Sequence, residues 1–271
     1  MPRITNGSAS GGAGGDWTYT NLTPTLEDLG GWPAGSTFNA VPKQTLLDTL
    51  FYPYLAPNVT TDLPATATIE FPLAEPTITI QATSVKQSDD ITSADLQVSL
   101  NGGAYATVYN EAAVNPNGQT YSTMWQPSDD FAWPLVQVNQ VSTLAYRGRA
   151  GDGTTTTNAS AHTQTYVYPF YYGVGAPGLS GAQIAALTKL VQTQGDKTLA
   201  FAPTVEVYYF AYPASYPDLT RILDQNLFDI TADFTLRNPV SITGADGTAQ
   251  NYKVYEFNNL TSLAQNLTFD F

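Results

Sequence analysis

Between about Val59 and Tyr172, hydrophobic and polar positions alternate in short runs separated by turn residues. Thr66 to Phe71, Thr77 to Gln81, Leu96 to Leu100, Val136 to Val138 and Thr165 to Tyr168 each show a period of two, which puts successive side chains on opposite faces of a strand. Asn101-Gly102-Gly103, between Leu100 and Tyr105, is a hairpin signal because Asn and Gly accept the positive φ of tight hairpin turns. Asn117-Gly118 and Asp152-Gly153 mark further turns. This pattern predicts an antiparallel β-sandwich of immunoglobulin-like type over residues 58–173.

The flanks read differently. Residues 1–16 are dominated by Gly, Ser and Asn, a flexible-coil composition. From Trp17 to Pro57 aromatic residues are scattered among Gly and Pro, with one short helix expected between Pro42 and Pro53 on the face of Leu46, Leu47 and Leu50. Residues 1–57 therefore read as an extended N-terminal arm. Beyond the sandwich, Leu179 to Val191 predicts a helix, with Ser180 as cap, Gln183 completing a capping box, an Ile184/Leu187/Val191 stripe and Gly195 as the stop. Thr204 to Tyr212 predicts a strand and Asp218 to Asp224 a short helix. Three more strands are expected near Ile230–Thr235, Tyr252–Phe257 and Leu267–Phe271, with Asp246-Gly247 as a turn. The fold class is thus mainly β, with a small α+β C-terminal domain over residues 174–271.

Charge narrows the partners. The 271 residues carry a formal net charge of −13, and charged residues make up only 12% against 42% hydrophobic. Phosphate backbones are recognised by clustered Lys and Arg, so no nucleic-acid partner is expected, and an anionic membrane surface repels the chain. So few charges on an aromatic-rich chain point to a surface covered by copies of itself or by neighbours, hence a homo-oligomer or larger assembly. Neither a secretory h-region nor a membrane-spanning run is expected: Met1 to Ser8 lacks the first, and Thr, Gln, Gly and Pro interrupt the charge-free stretch Thr154 to Thr188. Membrane insertion as an outer-membrane barrel, raised by the alternation of Leu267, Phe269 and Phe271, is set aside because the chain has 18 prolines.

Candidate chemistry is sparse. With no Cys, thiolate sites and disulfides are excluded. The one histidine, His162, has no Gly-x-Ser-x-Gly elbow to serve and reads as a strand-face residue. Asp89-Asp90 and Asp129-Asp130 read as turn acids beside Ser and Pro, and Gly151-Asp152-Gly153 offers only a fragment of a calcium loop. Gly11 to Gly15 lacks the Lys of a phosphate-binding loop. The remaining unusual feature is aromatic: Tyr166, Tyr168, Phe170, Tyr171 and Tyr172 in one cluster, and Tyr208, Tyr209, Phe210, Tyr212 and Tyr216 in another. Tyrosines pack cores and subunit interfaces, and exposed ones stack on sugars; alternation puts half of each cluster in the core.

Two segments carry a family resemblance. Thr25-Leu26-Glu27-Asp28-Leu29-Gly30-Gly31-Trp32-Pro33-Ala34-Gly35-Ser36-Thr37-Phe38, followed by Leu46 to Pro57, resembles the opening of a group of virion structural proteins of tailed bacteriophages. Phe210-Ala211-Tyr212-Pro213-Ala214-Ser215-Tyr216-Pro217-Asp218-Leu219-Thr220-Arg221-Ile222-Leu223-Asp224, with Tyr252 to Tyr255 and Leu267 to Phe271, resembles their terminal domain. The resemblance implies a virion location, in a tail, neck, baseplate or head fibre, and other virion proteins as partners. It implies no catalytic residues and no cofactor or metal. Attachment through the N-terminal arm makes Trp17, Tyr19, Trp32, Phe38, Tyr52 and Tyr54 the candidate assembly interface. An exposed distal domain makes Tyr208, Tyr212 and Tyr216 the candidate distal contact, and the alternative function is a receptor-binding adhesin for a host surface glycan or protein.

Overall fold

A computed structural model of the chain describes residues 18–21, 37–42, 45–47, 54–86, 90–111 and 119–271, and these are mainly β. Strands β1 (Thr18–Asn21) and β2 (Phe38–Pro42) form a two-stranded antiparallel sheet. Pro42 ends β2 instead of opening a helix. Residues 45–47 are helical with Leu46 buried, and the rest of the expected 42–53 helix lies outside the described residues or in β2.

Two sheets then face each other. One has the order β3 (Asn58–Asp62), β5 (Ile78–Val85), β8 (Gln119–Trp125). The other has the order β4 (Ala67–Glu70), β11 (His162–Val167), β9 (Val141–Gly151), β6 (Ser93–Leu100), β7 (Ala106–Asn110), with β10 (Thr156–Asn158) paired to β9. Every pairing is antiparallel except β4 with β11, which is parallel. The predicted alternation is visible in β5, where Ile78, Ile80 and Ala82 are buried and the residues between them are not. They share a core with Leu96, Val98, Leu144 and Tyr146 of the facing sheet. Trp125 and Tyr146 meet edge to face across it, with ring centroids 6.1 Å apart. Each such fully buried large side chain contributes roughly 2–3 kcal/mol of transfer free energy. Gly148 permits the close approach: a Cβ there would lie 2.8 Å from that of Ala82 and 2.9 Å from Thr61 Cγ2.

Turn chemistry follows the sequence at Asn101 and Gly102, whose φ values of 51° and 72° suit a tight hairpin. The Gly103 amide donates to Leu100 O at 2.9 Å. Val136 to Val138, expected as a strand, is not one. Asn139 and Gln140 take positive φ, so the chain reverses at once and only Val138 bridges, to Val141.

The remaining strands build two further sheets. Their orders are β13 (Thr188–Leu190), β12 (Phe170–Gly175), β15 (Val207–Pro213), β19 (Ala249–Phe257), β17 (Phe234–Leu236), with β18 (Val240–Thr243) on β19; and β14 (Lys197–Phe201), β20 (Gln265–Asp270), β16 (Arg221–Leu223). β12 runs through the expected 173/174 boundary. Two helix expectations fail here. The capping box forms as read, with Ser180 and Gln183 bonded reciprocally, but helix α1 covers only Gly181–Ala185, because Thr188–Leu190 pairs with β12. Asp218 to Asp224 is not helical, because Arg221–Leu223 pairs with β20 and Ile222 enters the core. No helix among the described residues is long and apolar enough to cross a membrane.

β15 is buried along its whole length because it lies between two cores. Val207, Tyr209 and Ala211 join the core of the first two sheets, whereas Tyr208, Phe210 and Tyr212 join a second one with Phe170, Leu199, Leu267 and Phe269. At the junction, the Tyr252 hydroxyl donates to Pro169 O (3.1 Å), Tyr168 donates to Asp246 Oδ2 (2.6 Å) and Lys189 pairs with Glu70 (2.8 Å).

An ion pair with a buried carboxylate crosses the larger of the first two sheets. Asp95 of β6, 1% exposed, lies opposite Arg149 of β9, bonds its guanidinium, and also accepts from Asn110 Nδ2 at 3.0 Å. Arg149→Met leaves that carboxylate without its cation and is expected to cost about 3 kcal/mol, the low end for a broken buried pair because the arginine is itself part-exposed. Adding Asp95→Leu is expected to recover most of the loss. Urea denaturation of the two variants checks this, and equal instability would refute it.

Candidate functional site

Of the six aromatic residues expected at the assembly interface, Trp17, Trp32 and Tyr52 lie outside the described residues. Tyr19 and Phe38 fall in β1 and β2, where only the backbone is described. Tyr54 is fully described. It is 42% exposed, and its hydroxyl donates to Asp152 Oδ2 at 2.7 Å. The other oxygen of Asp152 accepts from the Thr154 and Thr155 amides at 2.9 and 2.8 Å. The Asp152-Gly153 turn thus fixes a carboxylate that latches Tyr54 to the end of β9.

The latch has a defined pH response. The Thr155 amide first, with the Tyr54 hydroxyl and Thr154 amide assisting, holds the Asp152 carboxyl below its ordinary value. A carboxylate with a lowered folded pKa stabilises above the unfolded value, about 3.9, and that contribution is lost as pH falls through the folded one. The carboxylate is therefore ionised at neutral pH, and the stability it contributes through these bonds is lost only in acid. Tyr54→Phe is expected to move the Asp152 midpoint upward in a carbon-13 NMR titration; an unchanged midpoint would mean the hydroxyl does not hold it.

Tyr208, Tyr212 and Tyr216, expected as the distal contact, are 0%, 0% and 3% exposed. They are core residues, which corrects that assignment. The Tyr208 hydroxyl bonds Leu263 O, and that of Tyr212 donates to Pro217 O at 3.1 Å. The mechanism is nonlocal: sequence alternation turns half of such a strand outward, but here a second sheet covers the outer face. Burial pushes the Tyr212 and Tyr252 hydroxyls well above their ordinary range, and that of Tyr171 up to about 12, with Glu70 adding to the shift in Tyr171. These phenols stay protonated at working pH and offer no general base.

The other candidate groups also have structural partners. The ring Nδ1 of His162 lies 3.3 Å from Pro64 O. Asp90 pairs with Lys86 at 2.6 Å, and Asp89 is outside the described residues. Asp129 Oδ2 accepts from the Gln126 amide (2.8 Å), and Asp130 Oδ2 from Trp125 Nε1 (2.7 Å). Asp152, the middle of the calcium-loop fragment, is committed to Tyr54 and the two amides. Among the described residues, no group of three or more His, Asp or Glu side chains is placed to hold a metal ion.

Sequence reasoning missed the exposed apolar side chains. Val205, Leu227, Phe228, Leu260 and Leu263 are 56–75% exposed, all on loops between β14 and β20; Leu73, Met124 and Val136 are exposed to a similar degree elsewhere. The one local signal was the Leu227-Phe228 pair inside the turn-rich Asp224 to Asp229. Compared with known proteins, the chain matches no family model and no curated sequence.

Proposed function

We propose that the chain is a structural component of a tailed-phage virion and works through protein–protein assembly. The observation that carries this reading is the shortage of charge: 12% of residues are charged against 42% hydrophobic, so an aromatic-rich chain has little to keep copies and neighbours off its surface. Register supports the direction of attachment. Tyr54 is latched at the Gly151 end of β9, whereas the C-terminal unit continues from Val167, which pairs with Val141 at the other end. Arm and terminal unit thus leave the sandwich from opposite ends, an arrangement suited to a subunit held at one end.

The middle unit is an immunoglobulin-like sandwich in this proposal. The order β3-β5-β8 facing β4-β11-β9-β6-β7, with its parallel β4–β11 pair, supports it. The C-terminal unit is a strand-rich version of the expected α+β domain. The uncovered apolar loops also favour assembly over a freely diffusing life. The adhesin alternative has lost Tyr208, Tyr212 and Tyr216 as contact residues.

Density-gradient purification of virions from the source of this sequence, followed by quantitative mass spectrometry, tests the proposal. A fixed copy number per particle is expected; recovery only in the soluble fraction would end it.

A further inference from the structure

We infer that the far end of the C-terminal unit docks on another polypeptide, one that presents an apolar pocket rimmed by Lys and Arg. Strand register locates that end. β12 leaves the sandwich at Phe170 and finishes at Gly175, opposite Val207; β15 returns to Pro213, which pairs with Tyr252 beside Pro169. The loops before β15 and after β19 therefore sit farthest along the strands from the sandwich. β14 ends at Phe201 opposite Gln265, and β16 leaves β20 at Leu223 heading the same way, so the turn after it joins them.

Hydrogen bonds tie the three loops together. Glu206 and Thr261 exchange backbone bonds of 3.0 and 2.9 Å, and the Asn258 amide donates to Asp233 O at 2.8 Å. Asp224 Oδ1 accepts from the Asn226 and Phe228 amides at 2.8 and 2.9 Å, and Asp229 Oδ1 accepts from the Thr231 amide at 2.9 Å. On this fixed frame Val205, Leu227, Phe228, Leu260 and Leu263 stand exposed by 65%, 75%, 67%, 56% and 57%. Scattered exposed side chains need no explanation, but five on three loops bonded together at one end concentrate apolar surface there. Leu227 adds a second sign. Its φ of 66° is left-handed, a conformation that Gly or Asn adopts cheaply and a branched side chain does not. The turn uses that conformation to close, with the Leu227 amide donating to Asp224 O at 3.0 Å and the Asp224 amide to Phe228 O at 2.9 Å, but Gly would serve the backbone, and the side chain that stands there instead is three-quarters exposed. Loops held in place lose little freedom on docking.

Charge selects the occupant. The three loops, residues 202–206, 224–233 and 258–264, contain Glu206, Asp224, Asp229 and Asp233 and no Lys or Arg. A second copy docking through the same patch would set these acids against their equivalents, and an anionic lipid surface would meet like charge. A protein with an apolar pocket and a cationic rim complements both the apolar tip and its border.

This inference rests on the assembly reading for the existence of a second polypeptide, but it fails separately. The full chain carrying the photoreactive benzoyl-phenylalanine in place of Phe228 is incorporated into virions, irradiated and digested. The expected product is a cross-link to a different polypeptide, at an apolar segment flanked by Lys or Arg. In the same experiment Leu227→Gly, which relieves the backbone and removes the side chain, is expected to leave the isolated chain at least as heat-stable and to cut the cross-link yield at least tenfold. Incorporated chain that forms no cross-link, or links only to lipid or to the same loops of another copy, overturns the inference and leaves the assembly reading standing. So does a Leu227→Gly yield equal to that of the parent. Absence of the chain from virions overturns both.

Discussion

Replacing Phe210 with alanine lowers stability by about 4 kcal/mol, within the usual range for a buried phenylalanine truncated to alanine. Phe210 is fully buried in the middle of β15 and stacks on Phe269 of the opposing sheet, with centroids 4.2 Å apart. Phe170 lies 5.9 Å away in a second stacked pair, and Tyr212 5.6 Å away. These neighbours come from β12, β15 and β20, so no single backbone shift closes the hole. For a chain of this length the loss corresponds to a fall in melting temperature on the order of 10 °C. Phe228→Ala is the matched control: that ring is 67% exposed, and its removal is expected to stay within about 0.5 kcal/mol. Calorimetry of the two variants separates a packed aromatic from a presented one; similar losses would mean that Phe228 is packed as well.

If the assembly proposal holds, deleting residues 1–42 is expected to abolish incorporation into virions and leave the rest folded. The deletion removes β1 and β2 along with Trp17, Tyr19, Trp32 and Phe38, but retains Tyr54 and its bond to Asp152. Among the described residues, neither buried cluster includes a residue before Val59. The truncated chain is expected to melt within a few degrees of the parent, while its copy number in purified virions falls at least tenfold, as expected for a lost anchor. Undiminished incorporation would assign attachment to another part of the molecule.

Much of the β architecture was legible in the sequence, because one-sided burial writes itself as alternation. β5 and β20 bury every second residue over most of their length and were read from that period, whereas β9, which alternates in the same way, was not read as a strand. Where the reading failed, a pairing partner outweighed local preference. Leu187 and Val191 continue the helical stripe begun at Ile184, yet the edge of β12 recruits Thr188–Leu190 as a strand. Leu219, Ile222 and Leu223 have helical spacing, yet β20 claims the last two. The tyrosines of β15 were misplaced for a related reason, since a run buried on both faces carries no alternation to read. The exposed loop cluster was invisible: Val205, Leu227 and Leu260 are far apart in sequence, and only the registers of β14, β15, β16 and β20 bring their loops to one end.

A density map of the intact virion at a resolution that separates the domains decides whether this chain completes itself by lodging among other subunits. The sandwich and the C-terminal unit should fit into it with the Tyr54–Asp152 end against the particle and the Leu227-Phe228 turn seated on a different polypeptide. Virions whose density has no place for the chain, with the protein found only as a free monomer, would contradict that picture.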